Sequence, residues 1–159
     1  MSRIDYGEYD PVQQGRWLAR LRSTLLGKRG QAALALLEEE LEQMPVKELA
    51  YGRLCSPTYE GYTVCTVGAL AHARGYSYLE LYKMQQSTDG GADALAEWAS
   101  TNLDVSYTLA WLLQELNDEL WGERFSPQER YEKLLAWVER ARAEPLQVWR
   151  EYQDIHTLT

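Results

Sequence analysis

Residues 104–129 read DVSYTLAWLLQELNDELWGERFSPQE, and this stretch decides the fold class. Leu109, Leu112, Leu113, Leu116 and Leu120 recur three and four positions apart, which places them on one stripe of an α-helix. Asp104 can cap that helix and Gly122 can end it, so a helix is expected from Val105 to about Trp121. Ser126-Pro127-Gln128-Glu129 is a capping box with proline at the first helical position. It opens a second helix carrying Tyr131, Leu134, Leu135 and Val138, which fades before Pro145. Two successive helices with apolar stripes predict a helix-on-helix core.

The same periodicity extends outward in both directions. Asp10-Pro11 signals a helix start, and Trp17, Leu18, Leu21 and Leu25 follow at helical spacing. Gly27-Lys28-Arg29-Gly30 reads as a turn. A helix from about Gln31 to Met44 carries Leu34, Leu37 and Leu41 on one side, with Pro45 as its stop. Residues 46–62 break the pattern with Gly52, Pro57 and Gly61, and they interleave Tyr51, Tyr59 and Tyr62. That region reads as an irregular loop, with a short extended piece at Tyr62 to Cys65. A small-residue helix from Thr63 to Arg74 follows. Residues 77–86 read as a short helix with Leu79, Tyr82 and Tyr78 inward. Asp89-Gly90-Gly91 marks a turn before a helix from Ala92 to Asn102. Residues 1–10 read as an irregular arm, and 146–159 as a tail helix with Leu146, Trp149 and Tyr152. The expectation is a mainly α, compact single domain spanning 1–159, a bundle of five to seven helices with one irregular Tyr/Gly/Pro region at 46–62.

Composition narrows the function classes. At 159 residues the chain is about one domain long, and it can build a core without staples. No apolar run is long enough to span a bilayer. The first ten residues are charged and lack the apolar stretch of a secretory signal, so a cytoplasmic location is expected. The net charge is -8 and unevenly spread. Residues 1–30 hold six basic and three acidic residues, while residues 31–123 hold four basic and fifteen acidic ones. So acidic a middle disfavours DNA or RNA as a direct partner, since neutralising phosphates requires Lys and Arg. The chain has 11 Tyr and 6 Trp but a single Phe, so most of its aromatics carry a polar tip suited to contact surfaces.

Three constellations invite chemistry. Cys65, Gly68, Ala69 and His72 would share one helix face, and a thiol at a helix start has its pKa lowered by the helix dipole. A thiol-dependent enzyme using Cys65 with His72 as base is therefore one reading. Yet the two lie two turns apart, about 10 Å along the axis, where proton transfer needs roughly 3 Å. The plainer reading is a small-residue packing face. Cys55, Cys65, His72 and His156 have spacings that match no compact zinc module, so no metal or other cofactor is expected. Asn117, Asp118, Glu119 and Glu123 suggest either a divalent-ion site or residues tying down backbone amides, and the second reading is preferred.

Several short segments resemble one another's counterparts in a broad group of small, uncharacterised phage and prophage proteins. They are Trp17-Leu18-Ala19-Arg20-Leu21-Arg22-Ser23, Lys28-Arg29-Gly30-Gln31, Tyr62 through Leu70, Leu116-Asn117-Asp118-Glu119, and Phe125-Ser126. The shared pattern is a Cys-x-x-Gly helix start followed by a Leu-Asn-Asp segment. It touches about half of the chain and departs at 32–60 and 76–86. The resemblance implies a phage-type context, with Cys65-Gly68 and Asn117-Asp118 forming a structural junction.

The expected function is therefore non-enzymatic: an accessory protein that binds a host or phage protein. The candidate binding residues are Glu38, Glu39 and Glu42, which crowd one helix, and Tyr51, Tyr59 and Tyr62 of the irregular region. The partner would be a protein, including one with a basic nucleic-acid-binding surface, as for a DNA-mimicking or anti-CRISPR inhibitor of a host enzyme or defence complex. A virion or assembly component is the third class.

Overall fold

In the computed structural model the described residues are 11–87, 91–120 and 124–157. They form eight helices, one π-helical turn and one two-stranded sheet. In chain order these are α1 (Pro11–Leu26), α2 (Lys28–Gln43), β1 (Cys55–Thr58), β2 (Gly61–Val64), α3 (Thr66–Ala73), α4 (Tyr78–Ser87), α5 (Gly91–Asn102) and α6 (Tyr107–Glu115). The π turn (Leu116–Leu120) continues α6, and α7 (Pro127–Ala143) and α8 (Pro145–Thr157) complete the chain. The mainly α, single-domain expectation is met. The helix count exceeds seven because the segment after Pro145 folds as a full helix. The expected arm at 1–10, the Asp89-Gly90 turn, Trp121 and Gly122 lie outside the described residues.

One hydrophobic core joins every helix. Leu21 and Leu25 of α1, Leu34, Leu37 and Leu41 of α2, and Leu109, Leu112 and Leu113 of α6 are fully buried, as their spacing predicts. Helix α2 packs on α3 and α7, α1 packs on α8, and α5 packs on α6. In α4 the inward leucine is Leu81, and Leu79 is exposed. Tyr78 and Tyr82 lean on the core with their edges still wet.

Three junctions differ from the sequence expectation for local reasons. Helix α2 begins at Lys28, so only Gly27 separates it from α1. Gly30 is a packing residue and not a turn residue: a Cβ there would lie 1.8 Å from the Thr24 carbonyl oxygen. Gln31 seals this joint, its side-chain amide donating to Leu25 O at 2.6 Å and Ala141 O at 3.0 Å. The second junction is the start of α6. Ser106, not Asp104, is its N-cap, its hydroxyl accepting from Leu109 N at 3.1 Å. Asp104 takes φ 52°, and its carboxylate meets Arg29 at 3.1 Å. Third, the presumed loop at 46–62 contains most of a β-hairpin. Cys55 faces Val64 and Thr58 faces Gly61 across it, and Pro57 is tolerated because β1 is an edge strand. β2 is the short extended piece expected at Tyr62 to Cys65, set one residue earlier; it takes residues that helical spacing also assigned to α3, so α3 starts three residues late. The capping box at Ser126 forms with both of its bonds, at 3.0 and 3.1 Å.

Candidate interaction surface

The hairpin is anchored by the segment that precedes it, and that segment is held by side chains from distant elements. Asn117, fully buried on the π turn, accepts from Thr66 N at 3.1 Å and from the Thr66 hydroxyl at 2.9 Å. Its amide nitrogen donates to Ala50 O at 2.9 Å and to Asp118 Oδ1 at 2.6 Å. Asp118 in turn accepts from Gly52 N at 3.2 Å and from the Gln114 side-chain amide. The buried Arg130 donates to Leu49 O at 2.7 Å and to Phe125 O at 3.1 Å. The carbonyl groups of Leu49 and Ala50, which would be orphaned in a dry interior, are thereby paired. The Asn117-Asp118 pair is a structural tie, in line with the preferred reading. The side chains of Glu119 and Glu123 lie outside the described residues.

The thiol reading fails on environment. Cys65 is the N-cap of α3, and its sulfur accepts from Gly68 N at 3.4 Å. That bond lowers its pKa, but complete burial raises it far more, and the nearby Asp118 adds to the rise; the thiol is pushed up to about 12. A protonated, buried thiol is no nucleophile. Its expected base, His72, is engaged with Glu40 instead. Gly68 sits against the hairpin, where a Cβ would come within 2.5 Å of Leu54 O. The absence of a side chain at Gly68 therefore lets α3 approach the backbone just before β1. Cys55 is also buried and free, its thiol raised to about 11 by burial. Because Cys55 faces Val64, the neighbouring Cys65 points to the opposite side of the ladder. Among the described residues no three His, Cys, Asp or Glu side chains gather as a metal site. The His156 side chain is outside them.

The six candidate binding residues separate into two groups. On α2, Glu38 is half-buried and ion-paired with Arg142, so it is no longer a free surface charge. Glu39 is exposed, with only a long 3.4 Å bond from Gln43, and Glu42 is exposed. On the hairpin side, Tyr51 is 44% exposed beneath Arg130, whose guanidinium lies 5.4 Å from the ring centroid. Tyr59 stands fully clear of the protein at the hairpin tip. Tyr62 is half-buried, 6.1 Å from Tyr78 and 6.0 Å from Tyr82.

The tip that carries Tyr59 is short and stiff. Thr58 and Gly61 close a two-residue loop, and Gly61 supplies the one positive φ, 129°. The Thr58 hydroxyl accepts from Glu60 N and donates to Gly61 O, both at 3.2 Å. Behind the tip, Tyr62, Tyr78 and Tyr82 form an aromatic base that joins the hairpin to α4. Sequence spacing shows none of this clustering, because Tyr62 meets Tyr78 only once α3 and α4 fold back on the strands. It also hides the Glu40–His72 pair, which bridges α2 and α3. No family model, curated protein or solved structure matches the chain. No helix among the described residues is long and apolar enough to cross a membrane.

Proposed function

We propose that this is a non-enzymatic accessory protein that works by docking on another protein, with Tyr59 as the leading contact and the Tyr62–Tyr78–Tyr82 base behind it. The observation that carries this reading is a wholly exposed tyrosine on a hydrogen-bonded two-residue hairpin tip. A folded chain gains nothing from such a residue internally. In an interface, tyrosine supplies a large amphipathic ring at low entropic cost, and aromatic residues dominate binding hot spots. The exposed Glu39 and Glu42 support a partner with basic patches, since complementary charge steers encounter. A phage or prophage setting, in which the partner is a host enzyme or defence complex, rests on the short-motif resemblance.

The test is quantitative co-purification from the native host with tagged wild-type, Tyr59→Phe and Tyr59→Ser chains. A hot-spot tyrosine contributes at least about 2 kcal/mol, roughly 30-fold in affinity. At least one protein retained by the wild type should be lost with Tyr59→Ser and largely kept with Tyr59→Phe. An identical set of retained proteins for all three chains would refute the role of Tyr59.

A further inference from the structure

Helix α2 sorts its charges by end. Its first half holds Lys28 and Arg29 and no acid, and its second half holds Glu38, Glu39, Glu40 and Glu42 and no base. That order opposes the helix dipole, which favours anions at the N-terminus and cations at the C-terminus. The neighbouring helices take up only the side rows: Glu38 turns to Arg142 of α7 and Glu40 to His72 of α3. Between those rows, Lys28, Ala32, Ala35, Glu39 and Glu42 follow at spacings of four, three, four and three, the repeat of a helix–helix seam. Leu34, Leu37 and Leu41 are buried on the opposite side, so this seam faces outward. Lys28, Ala32, Glu39 and Glu42 are exposed, and Ala35 is half-buried. Lys28 makes no ion pair among the described residues, and Arg29 meets the exposed Asp104. The Lys47 ammonium is engaged with the Leu41 and Glu42 carbonyls.

A face with cations at one end, acids at the other and alanines between them is complementary to itself when turned end for end. We propose that it is the contact between two copies of this chain, packed with their α2 helices antiparallel about a two-fold axis. Lys28 and Arg29 of one copy then lie against Glu39 and Glu42 of the second, and symmetry makes the same contact twice. Ala32 and Ala35 meet near the axis, where small side chains let the helices approach to about 8 Å. The antiparallel arrangement also sets each helix N-terminus beside the acidic end of the other copy, which relieves the unfavourable order of charge along α2. A parallel pair would instead set like charges side by side. An acidic or a basic partner would match only one end of the face, whereas a second copy matches both. A seam of about four turns is smaller than a standard interface, so association in the micromolar range is expected. The basic patch that Glu39 and Glu42 meet is here that of a second copy. The Tyr59 tip takes no part, and either reading stands if the other fails.

Sedimentation equilibrium of the purified full-length chain reads the association directly. The wild type should form dimers that weaken as salt rises from about 0.05 M to about 0.5 M, because exposed charge pairs are screened. Lys28→Glu and Glu39→Lys each alter one exposed side chain, and circular dichroism checks that both fold. Alone, each variant places like charges together at two symmetric positions, so its dimer should weaken at least about tenfold. Mixed in equal amounts, the two should recover a dimer of wild-type strength. The acid placed at 28 then faces the base placed at 39, and the native pair re-forms on the other side of the axis. A general charge effect predicts otherwise. Lys28→Glu makes the net charge more negative and Glu39→Lys less so, and the second would then associate more tightly than the wild type. Three results would each overturn the proposal: a wild-type chain that stays monomeric to about 0.5 mM in low salt, a Glu39→Lys chain that dimerises as well as the wild type, or a mixture no stronger than its components.

Discussion

Asn117 is the most demanding test of how the hairpin segment is held. Its side chain makes four hydrogen bonds in a site with no solvent access, two of them to backbone groups, Thr66 N and Ala50 O. Asn117→Ala leaves that N–H and that C=O unpaired in the interior. Each orphaned group costs about 1–3 kcal/mol, so the substitution should destabilise the fold by about 4 kcal/mol, a large part of a typical domain's 5–15. In urea unfolding followed by tryptophan fluorescence, a slope of about 2 kcal/mol/M turns this into a midpoint shift of about 2 M. Asn117→Asp adds a sign that steric loss cannot mimic. The new carboxylate keeps an acceptor for Thr66 but turns an oxygen toward Ala50 O and Asp118 Oδ1, which now sit at 2.9 and 2.6 Å from a donor. Ionisation there is disfavoured, so its folded pKa rises above the unfolded value of about 3.9. The variant should match the wild type most closely below that value and lose stability as pH rises through the raised folded pKa. A loss under about 1 kcal/mol for Asn117→Ala would refute the tie. So would an Asn117→Asp deficit that does not change with pH.

Other outcomes follow from single contacts. Gly30→Ala forces a methyl into the Thr24 carbonyl and should cost at least about 3 kcal/mol in denaturant unfolding, because the obstacle is backbone and cannot step aside. Cys65 and Cys55 should resist iodoacetamide at mildly alkaline pH in the folded protein and label fully after unfolding, with mass spectrometry counting the adducts. Because both thiols have folded pKa values raised above the ordinary 9.0, their contribution to stability is complete below that value. It should fall as pH climbs toward about 11 and 12, giving an alkaline unfolding limb that Cys65→Ala reduces. Glu38→Gln breaks a half-buried pair with Arg142 whose cationic end is exposed, and should cost about 1 kcal/mol, less at high salt. Tyr59→Ser should leave the thermal midpoint unchanged, since the side chain touches nothing that folding buries.

Sequence alone determined the helical class, and it did so through local rules. Leucine spacing in α1, α2 and α6 marks the buried stripe, because a helix must turn one face to the core whatever lies opposite. The Ser126 capping box marks a boundary to the residue, because its two bonds close within one turn. Tertiary structure decided what depended on partners far along the chain. The hairpin at 55–64 lacks strong alternation and contains proline, and it is secured by Asn117, Asp118 and Arg130, about fifty to eighty residues away. Asp104 reads as a cap but is drawn away by Arg29, leaving Ser106 to do the capping. Gly30 reads as a turn until α1 comes against it. Glu38, Glu39 and Glu42 read as a crowd of free charges on one helix, yet Glu38 goes to Arg142, and the intervening Glu40 to His72, once α7 and α3 pack there. Helical periodicity is written in neighbours three and four apart. The pairing of a charge, the pKa of a thiol and the exposure of a tyrosine are set by whatever the fold brings beside them.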